Sequence, residues 1–163
     1  MIKKKKITII STTELTIRSF LLEHIKQLKK LNYEIYLLSN FQNNKKFYRK
    51  LNIKLINIDF KRKIKLFFDL FSLIKLIKEL IKISPYLTIS ISPKAGFLNS
   101  IASYLLRTKC RLHIFTGQVW ANKFGIFRYF LIALDSVICN LSTHILLDSN
   151  SQKKILINKK ILK

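Results

Sequence analysis

The residues of this sequence able to do chemistry collect in four short stretches: STTE at 11–14, SPKAG at 92–96, TGQVWANK at 116–123 and DSNS at 148–151. Each directly follows a short aliphatic, β-rich run. Ligands of open α/β sheets bind beyond the carboxyl ends of the strands, so four loops in that position converge on one edge. Ser11, Thr12 and Thr13 offer hydroxyls there. Ser92 stands before Pro93, as a capping serine ahead of a proline at the first helical position. Lys94 in that first turn adds a full charge to free N–H groups, a combination suited to phosphate or carboxylate, and Gly96 allows close approach. A plain cap with an exposed lysine accounts for the same residues. Two of the three glycines and the single tryptophan fall between His113 and Gly125. Gly117, between Thr116 and Gln118, permits a positive φ or a close backbone approach to a ligand. Trp120 is suited to stacking on a sugar or covering a pocket, and equally to anchoring a core. Asn122 and Lys123 are polar candidates, and Arg128 on the following helix could reach an anion. Gly125 serves the entry to that helix.

Several chemistries have no counterpart in the sequence. There is no G-x-G-x-x-G after a strand, no P-loop, no G-x-S-x-G and no H-E-x-x-H. Cys/His metal spacings are missing, and the eight acidic residues offer no evident carboxylate pair for glycoside hydrolysis. No cofactor is therefore expected. His24, His113 and His144 read as packed residues, with His113 inside a strand, and Cys110 and Cys139 as reduced, buried thiols.

The elements that must hold these loops are legible from apolar patterning. Strands are expected at 6–10, 34–38, 53–58, 87–91, 111–115 and 144–148, and helices at 15–31, 42–51, 63–83, 94–107, 124–141 and 150–157. Several strands are apolar on both faces. That pattern and the strict alternation predict an α/β fold with a doubly wound, mostly parallel Rossmann-like sheet in a single domain spanning 1–163. Ser11 with Glu14, and Ser149 with Gln152, fit capping boxes. In the 63–83 helix, Lys65, Asp69, Ser72, Lys75, Glu79 and Lys82 form one polar stripe. Leu66, Phe67, Leu70, Phe71, Ile74, Ile77, Leu80 and Ile81 fill a wide apolar arc, read as packed on the sheet with a cationic edge able to meet lipid.

The net charge is +23. An anionic partner, nucleic acid or an acidic membrane surface, explains it; so does AT-rich codon usage, which favours Lys, Ile, Asn and Phe. No run approaches a spanning helix, and the apolar stretch after KKKK is too short for a signal peptide, so the chain is expected in the cytoplasm. A basic α/β module binding nucleic acid without enzymatic activity is the competing reading, although no nucleic-acid motif is present and the aromatics fall on apolar helix faces.

In this order, KKITIISTTEL, ISISPKAG, HIFTG and ILLDSNSQKKIL resemble the N-terminal domain of GT-B glycosyltransferases, with the retaining family 4 nearest. The resemblance covers almost the whole chain. It implies an acceptor-binding half facing a nucleotide-sugar half, as in surface-polysaccharide or lipid-linked glycan assembly. Ser11–Thr13 with Arg18, Ser92, Lys94 and Gly96, and Thr116–Gln118 with Trp120, Asn122, Lys123 and Arg128 would line the acceptor side. Family members often read H-x-x-H-G at the fifth strand; here His113 and Gly117 match, while Thr116 replaces the second histidine, which favours binding over proton transfer. The implied partners are a lipid-linked or saccharide acceptor, a nucleotide-sugar domain supplied by another segment or subunit, and the inner face of the plasma membrane. The donor domain with its Glu-rich motif falls outside these residues, so the chain alone is expected to transfer no sugar.

Overall fold

Six runs rich in β-branched residues pair into one sheet. The computed structural model describes residues 4–41, 45–61 and 64–162. Its strands are β1 (Lys6–Thr13), β2 (Glu34–Asn40), β3 (Lys54–Asn57), β4 (Leu87–Ile91), β5 (Cys110–Phe115) and β6 (His144–Leu147). They lie in the order β3-β2-β1-β4-β5-β6, and every pairing is parallel. The helices are α1 (Glu14–Phe20), α2 (Leu22–Lys30), α3 (Lys45–Lys50), α4 (Leu66–Ile83), α5 (Pro93–Leu105), α6 (Gly125–Leu141) and α7 (Asn150–Asn158). The strand order reverses between β1 and β4, so a crevice opens beyond their carboxyl ends, as in doubly wound folds.

Right-handed crossovers put α1–α3 on one face of the sheet and α4–α6 on the other. The core divides accordingly. Ile7, Ile9, Ile35 and Leu37 pack with Ile17, Ile25 and Tyr48. Ile10 and Leu38 turn to the opposite face, against Leu76, Leu80, Ala95 and Leu98. A third cluster joins Phe115, Trp120, Leu131, Ile138, Leu156 and Ile161. Alternate residues of β1 thus enter two different cores, which is why its sequence is apolar without a period. With glycine so scarce, left-handed backbone falls to Asn32, Asn52 and Ser84 at turns after α2, α3 and α4.

Several expectations are corrected. The helix expected at 15–31 is broken at Leu21, whose φ of −119° lies outside the helical range. β1 continues to Thr13, so Ser11 is a buried strand residue and caps nothing; Thr13 precedes α1, and its hydroxyl meets that of Thr16 at 3.0 Å. At α7 the Ser149 cap forms: the Gln152 N–H donates to Ser149 Oγ at 3.2 Å. Gln152 Oε1, however, accepts from the N–H of Asp148, one residue before the cap. The starts of the helices expected at 42–51 and 63–83 lie outside the described residues.

The largest correction concerns α4. Its buried face is narrow, namely Ser72, Leu76, Leu80 and Ile83. Phe67 is 82% exposed and Phe71 70%, with Leu66, Leu70, Ile74 and Ile81 also outward. With an apolar arc this wide, the pattern does not say which part of it turns in; the narrow seat against α5 and the sheet decides it, and takes in Ser72 from the polar stripe. Leu76→Ala, by emptying a fully buried site, is expected to cost about 2–4 kcal/mol in chemical denaturation. Phe71→Ala, which removes exposed surface, is expected to stay within about 0.5 kcal/mol.

Candidate functional site

At the reversal point the loops after β1 and β4 are tied directly. The hydroxyls of Thr12 and Ser92 lie 2.7 Å apart, and the Thr12 N–H donates to Ser92 Oγ at 3.2 Å. Ser92 has φ 82° and ψ 142°, a backbone region that residues with a side chain rarely adopt. The double contact with Thr12 holds that strain. It also removes Ser92 from its expected role, because its side chain makes no cap bond to α5.

Lys94 and Gly96 take other roles than expected as well. Lys94 Nζ pairs with Asp69 of α4 at 2.8 Å, and both side chains are largely buried, so its charge is already matched within the fold. Gly96 is buried, and a Cβ there would fall 2.2 Å from His113 Cε1. The close approach it permits is that of an imidazole ring, not of a ligand. His113 lies beneath α5, with Nδ1 2.9 Å from Ser90 Oγ and its ring edge-on to Phe115 at 4.5 Å. Burial pushes its pKa down to about 4, so the ring is neutral at ordinary pH.

Trp120 is also corrected. It is only 2% exposed, and its indole Nε1–H donates to Asp135 Oδ2 on α6 at 2.7 Å. It anchors the third core cluster and presents no face to a sugar. Burial raises the Asp135 carboxyl to about 6, with the Trp120 bond acting in the opposite sense. Asp135 is unforeseen in the sequence reading; an isolated carboxylate inside FLIALDSVICNL was the available signal, since such a group needs a buried donor. The Arg128 guanidinium sits 5.9 Å from the Trp120 ring centre, covering the indole from outside. Cys110 and Cys139 are free thiols and half-buried rather than fully buried; desolvation, then the charge of Asp135, pushes Cys139 up to about 12.

What remains open at the carboxyl edge is a smaller set. Gly117 is exposed at φ +115°. Thr13, Thr116 and Gln118 are half-exposed, whereas Arg18, Asn122 and Lys123 are exposed, and among the described hydrogen bonds none ties them to the Thr12–Ser92 pair. Gln118, half-exposed just past the end of β5, keeps a buried polar atom, Nε2, without a partner among the described residues. Buried polar atoms of that kind are costly until a donor or acceptor meets them. Glu14, expected only as a capping residue, faces the buried Tyr48 hydroxyl: burial first, then the Glu14 carboxylate, pushes that hydroxyl up to about 12. Beside this edge the first turns of α6 expose Phe124 (86%) and Ile126 (90%), on the face of the sheet that α4 shares.

No family model matches the sequence. The capsular polysaccharide biosynthesis glycosyltransferase CapM of Staphylococcus aureus is 30% identical over 140 residues, which are 85% of this chain and 36% of CapM. The UDP-GlcNAc 2-epimerase of Methanocaldococcus jannaschii matches with TM-score 0.68 at 19% identity, over 96% of this chain and 43% of that one. Acinetobacter baumannii MurG gives 0.65 at 11%, over 91% and 42%. The lipopolysaccharide outer core galactosyltransferase WaaB gives 0.63 at 16%, over 94% and 42%. The chain therefore spans about a third of its curated relative and under half of these structures. Its fold is that of a Rossmann-like half of GT-B proteins, an architecture that transferases and an epimerase share. The sequence similarity to CapM is to a glycosyltransferase.

Two buried groups with opposite shifts make a pH test of this packing. Between about 4 and 6.5 the unfolded chain protonates His113 and the folded one does not, so this group makes stability rise with pH. Between 3.8 and about 6 the folded chain keeps a proton on Asp135 that the unfolded one has lost, so this group makes stability fall. The two slopes offset over their shared window. Asp135→Asn is expected to leave the rising limb, up to about 1.4 kcal/mol per pH unit, and His113→Gln the falling one. Denaturant midpoints from pH 4 to 7 (about half-unit steps) read both.

Proposed function

We propose that the chain is the acceptor-binding half of a retaining, family 4-like bacterial glycosyltransferase acting in surface-polysaccharide or lipid-linked glycan synthesis. The nucleotide sugar would be held by a second half contributed from outside these 163 residues. The acceptor is a sugar on a lipid carrier, held at the inner membrane face. The observation that carries this reading is the position of the exposed apolar surface: Leu66, Phe67, Leu70 and Phe71 of α4, and Phe124, Ile126 and Tyr129 at the start of α6, begin at the same carboxyl edge as the open loops. A bilayer covering these two helix starts would bring a lipid-linked head group to Thr13, Thr116, Gly117 and Gln118, with Gln118 Nε2 available to sugar hydroxyls. Lys61, Lys65, Lys75 and Lys78 border the apolar residues on α4 and suit anionic lipid. Among the described residues no helix is long and apolar enough to cross a membrane, so contact would be peripheral. The similarity to CapM supports the transferase chemistry.

Co-sedimentation with phosphatidylglycerol vesicles is the test. Binding is expected and should weaken as salt rises from about 0.05 M to about 0.5 M, because the lysine contribution is screened. Phe67→Ser with Phe71→Ser should lower partitioning by about tenfold or more, since each inserted ring contributes on the order of 1.5–3 kcal/mol. Binding that is indifferent to both salt and these substitutions, or micromolar affinity for duplex DNA without affinity for vesicles, overturns the membrane reading.

The acceptor loops have a separate test. Gln118→Ala should weaken binding of a polyprenyl-diphosphate sugar in nanodiscs by about three- to tenfold, because it removes a partner for a sugar hydroxyl. The affinity for empty phosphatidylglycerol vesicles should stay unchanged. Equal acceptor affinity in the two proteins removes Gln118 from the site.

A further inference from the structure

The opposite, amino edge of the sheet carries a second cluster. α5 ends at Leu105, the chain turns through Arg107 in the left-handed region at φ +50°, and β5 starts at Cys110. Around this turn an open cavity of about 630 Å³ is lined by Tyr104, Leu105, Arg107, Thr108, Lys109 and Arg111. Three cations line it and no acidic residue does. Arg111 is fixed: its Nε donates to the Leu141 carbonyl at 2.7 Å, its Nη1 to the Thr108 carbonyl at 2.8 Å, and its guanidinium lies 5.6 Å from the Tyr104 ring centre. Two of its five N–H donors are used in holding that position, which leaves three for another acceptor. Arg107 and Lys109 are exposed, and none of the described ion pairs includes them or Arg111. Lys5 and Lys109 both lie over the Tyr86 ring at the same edge, at 4.5 and 5.6 Å.

We propose that this amino-edge cavity binds an oligophosphate anion through Arg107, Lys109 and Arg111. Cations gathered round a concave surface repel one another, and a single multivalent anion relieves all of those repulsions at once. The volume lies in the range of small-ligand sites. The Tyr104 face is already occupied by Arg111, so the cavity suits a phosphate chain better than a stacked base. Arg111 supplies a fixed planar donor set, and Arg107 and Lys109 supply charge that can adjust to the chain. The site lies at the other end of the strands from the acceptor loops and does not depend on the membrane reading.

Isothermal titration of the 163-residue chain with sodium tripolyphosphate at about 0.15 M salt tests this. Saturable binding is expected, with inorganic phosphate weaker by about tenfold or more, because fewer charges are matched. Arg107→Asn combined with Lys109→Gln should weaken tripolyphosphate by about tenfold or more. Asparagine tolerates the left-handed backbone, so the pair removes charge without forcing the turn, and an unchanged melting temperature verifies it. Lys153→Gln with Lys154→Gln on α7 removes the same charge elsewhere and should leave the affinity unchanged. Equal weakening by both pairs, or no saturable binding, overturns the proposal. If phosphatidylglycerol vesicles displace bound tripolyphosphate from the unaltered chain, the site stands and its anion is a lipid head group. If they do not, the site stands with a free phosphate chain.

Discussion

The fold depends on how closely α5 can lie on the sheet. Ala95, Gly96, Asn99, Ser100, Ala102 and Ser103 are all buried and all short, so the helix settles against β1, β4 and β5 with little between. Gly96 is the tightest point, because the His113 ring occupies the volume any larger residue would need. The hydroxyl groups complete the seat: Ser100 and Ser103 return their protons to helix carbonyls, and Ser92 binds Thr12 across the reversal point. The side-chain donors of Asn99, Ser100 and Ser103 can be buried here because each finds a partner a turn away or one strand over. Moving α5 outward would break the Thr12–Ser92 link and the Lys94–Asp69 pair together.

The placement of α5 in turn fixes what its neighbours expose. α4 and α6 flank a helix that is already buried, so each needs only one narrow face to complete the layer. Much of the rest of their circumference is still apolar, and over the first turns of both that part faces outward. Isolated exposed apolar residues are ordinary on a protein surface; contiguous ones on two helix starts at one edge are not. Burial of that surface against something apolar is the largest favourable free-energy term the molecule leaves unused.

Much of this was legible in the sequence, and the exceptions share a cause. Doubly buried parallel strands leave continuous aliphatic runs, which marks the central strands, and the shorter runs of the edge strands β3 and β6 follow the same alternation with helices, so the polar loops after the strands could be located from local pattern. The contacts of Lys94, Gly96 and Trp120 were not legible because their partners are distant in sequence: Asp69 lies 25 residues before Lys94, and Asp135 lies 15 after Trp120. A lysine at a helix start looks like an anion site until a carboxylate from another helix is placed beside it. For Gly96 the sequence correctly marked a position needing closeness but could not say closeness to what. The orientation of α4 was illegible for a different reason, since an apolar arc wider than its seat does not say which part of it to bury.

Charge explains why geometry has to supply specificity in this chain. The sequence has 31 lysines and arginines against eight acidic residues. Among the described residues, Glu23, Glu34, Asp59, Asp69 and Glu79 each already meet a lysine. Asp135 is spent on an indole N–H, and its burial leaves it reluctant to ionise. Few carboxylates are therefore left to offset the remaining cations, and the field around the molecule is positive in nearly every direction. Such a field draws in any anion and selects none. Selection must come from what accompanies the charge: apolar helix starts at the carboxyl edge, and a fixed guanidinium beside a concave wall at the amino edge. The first pairs cationic and apolar groups, as an anionic bilayer requires, and the second pairs cations with a confined volume, as a compact polyanion requires. With both proposals, the two ends of one sheet would convert the same excess charge into two different preferences.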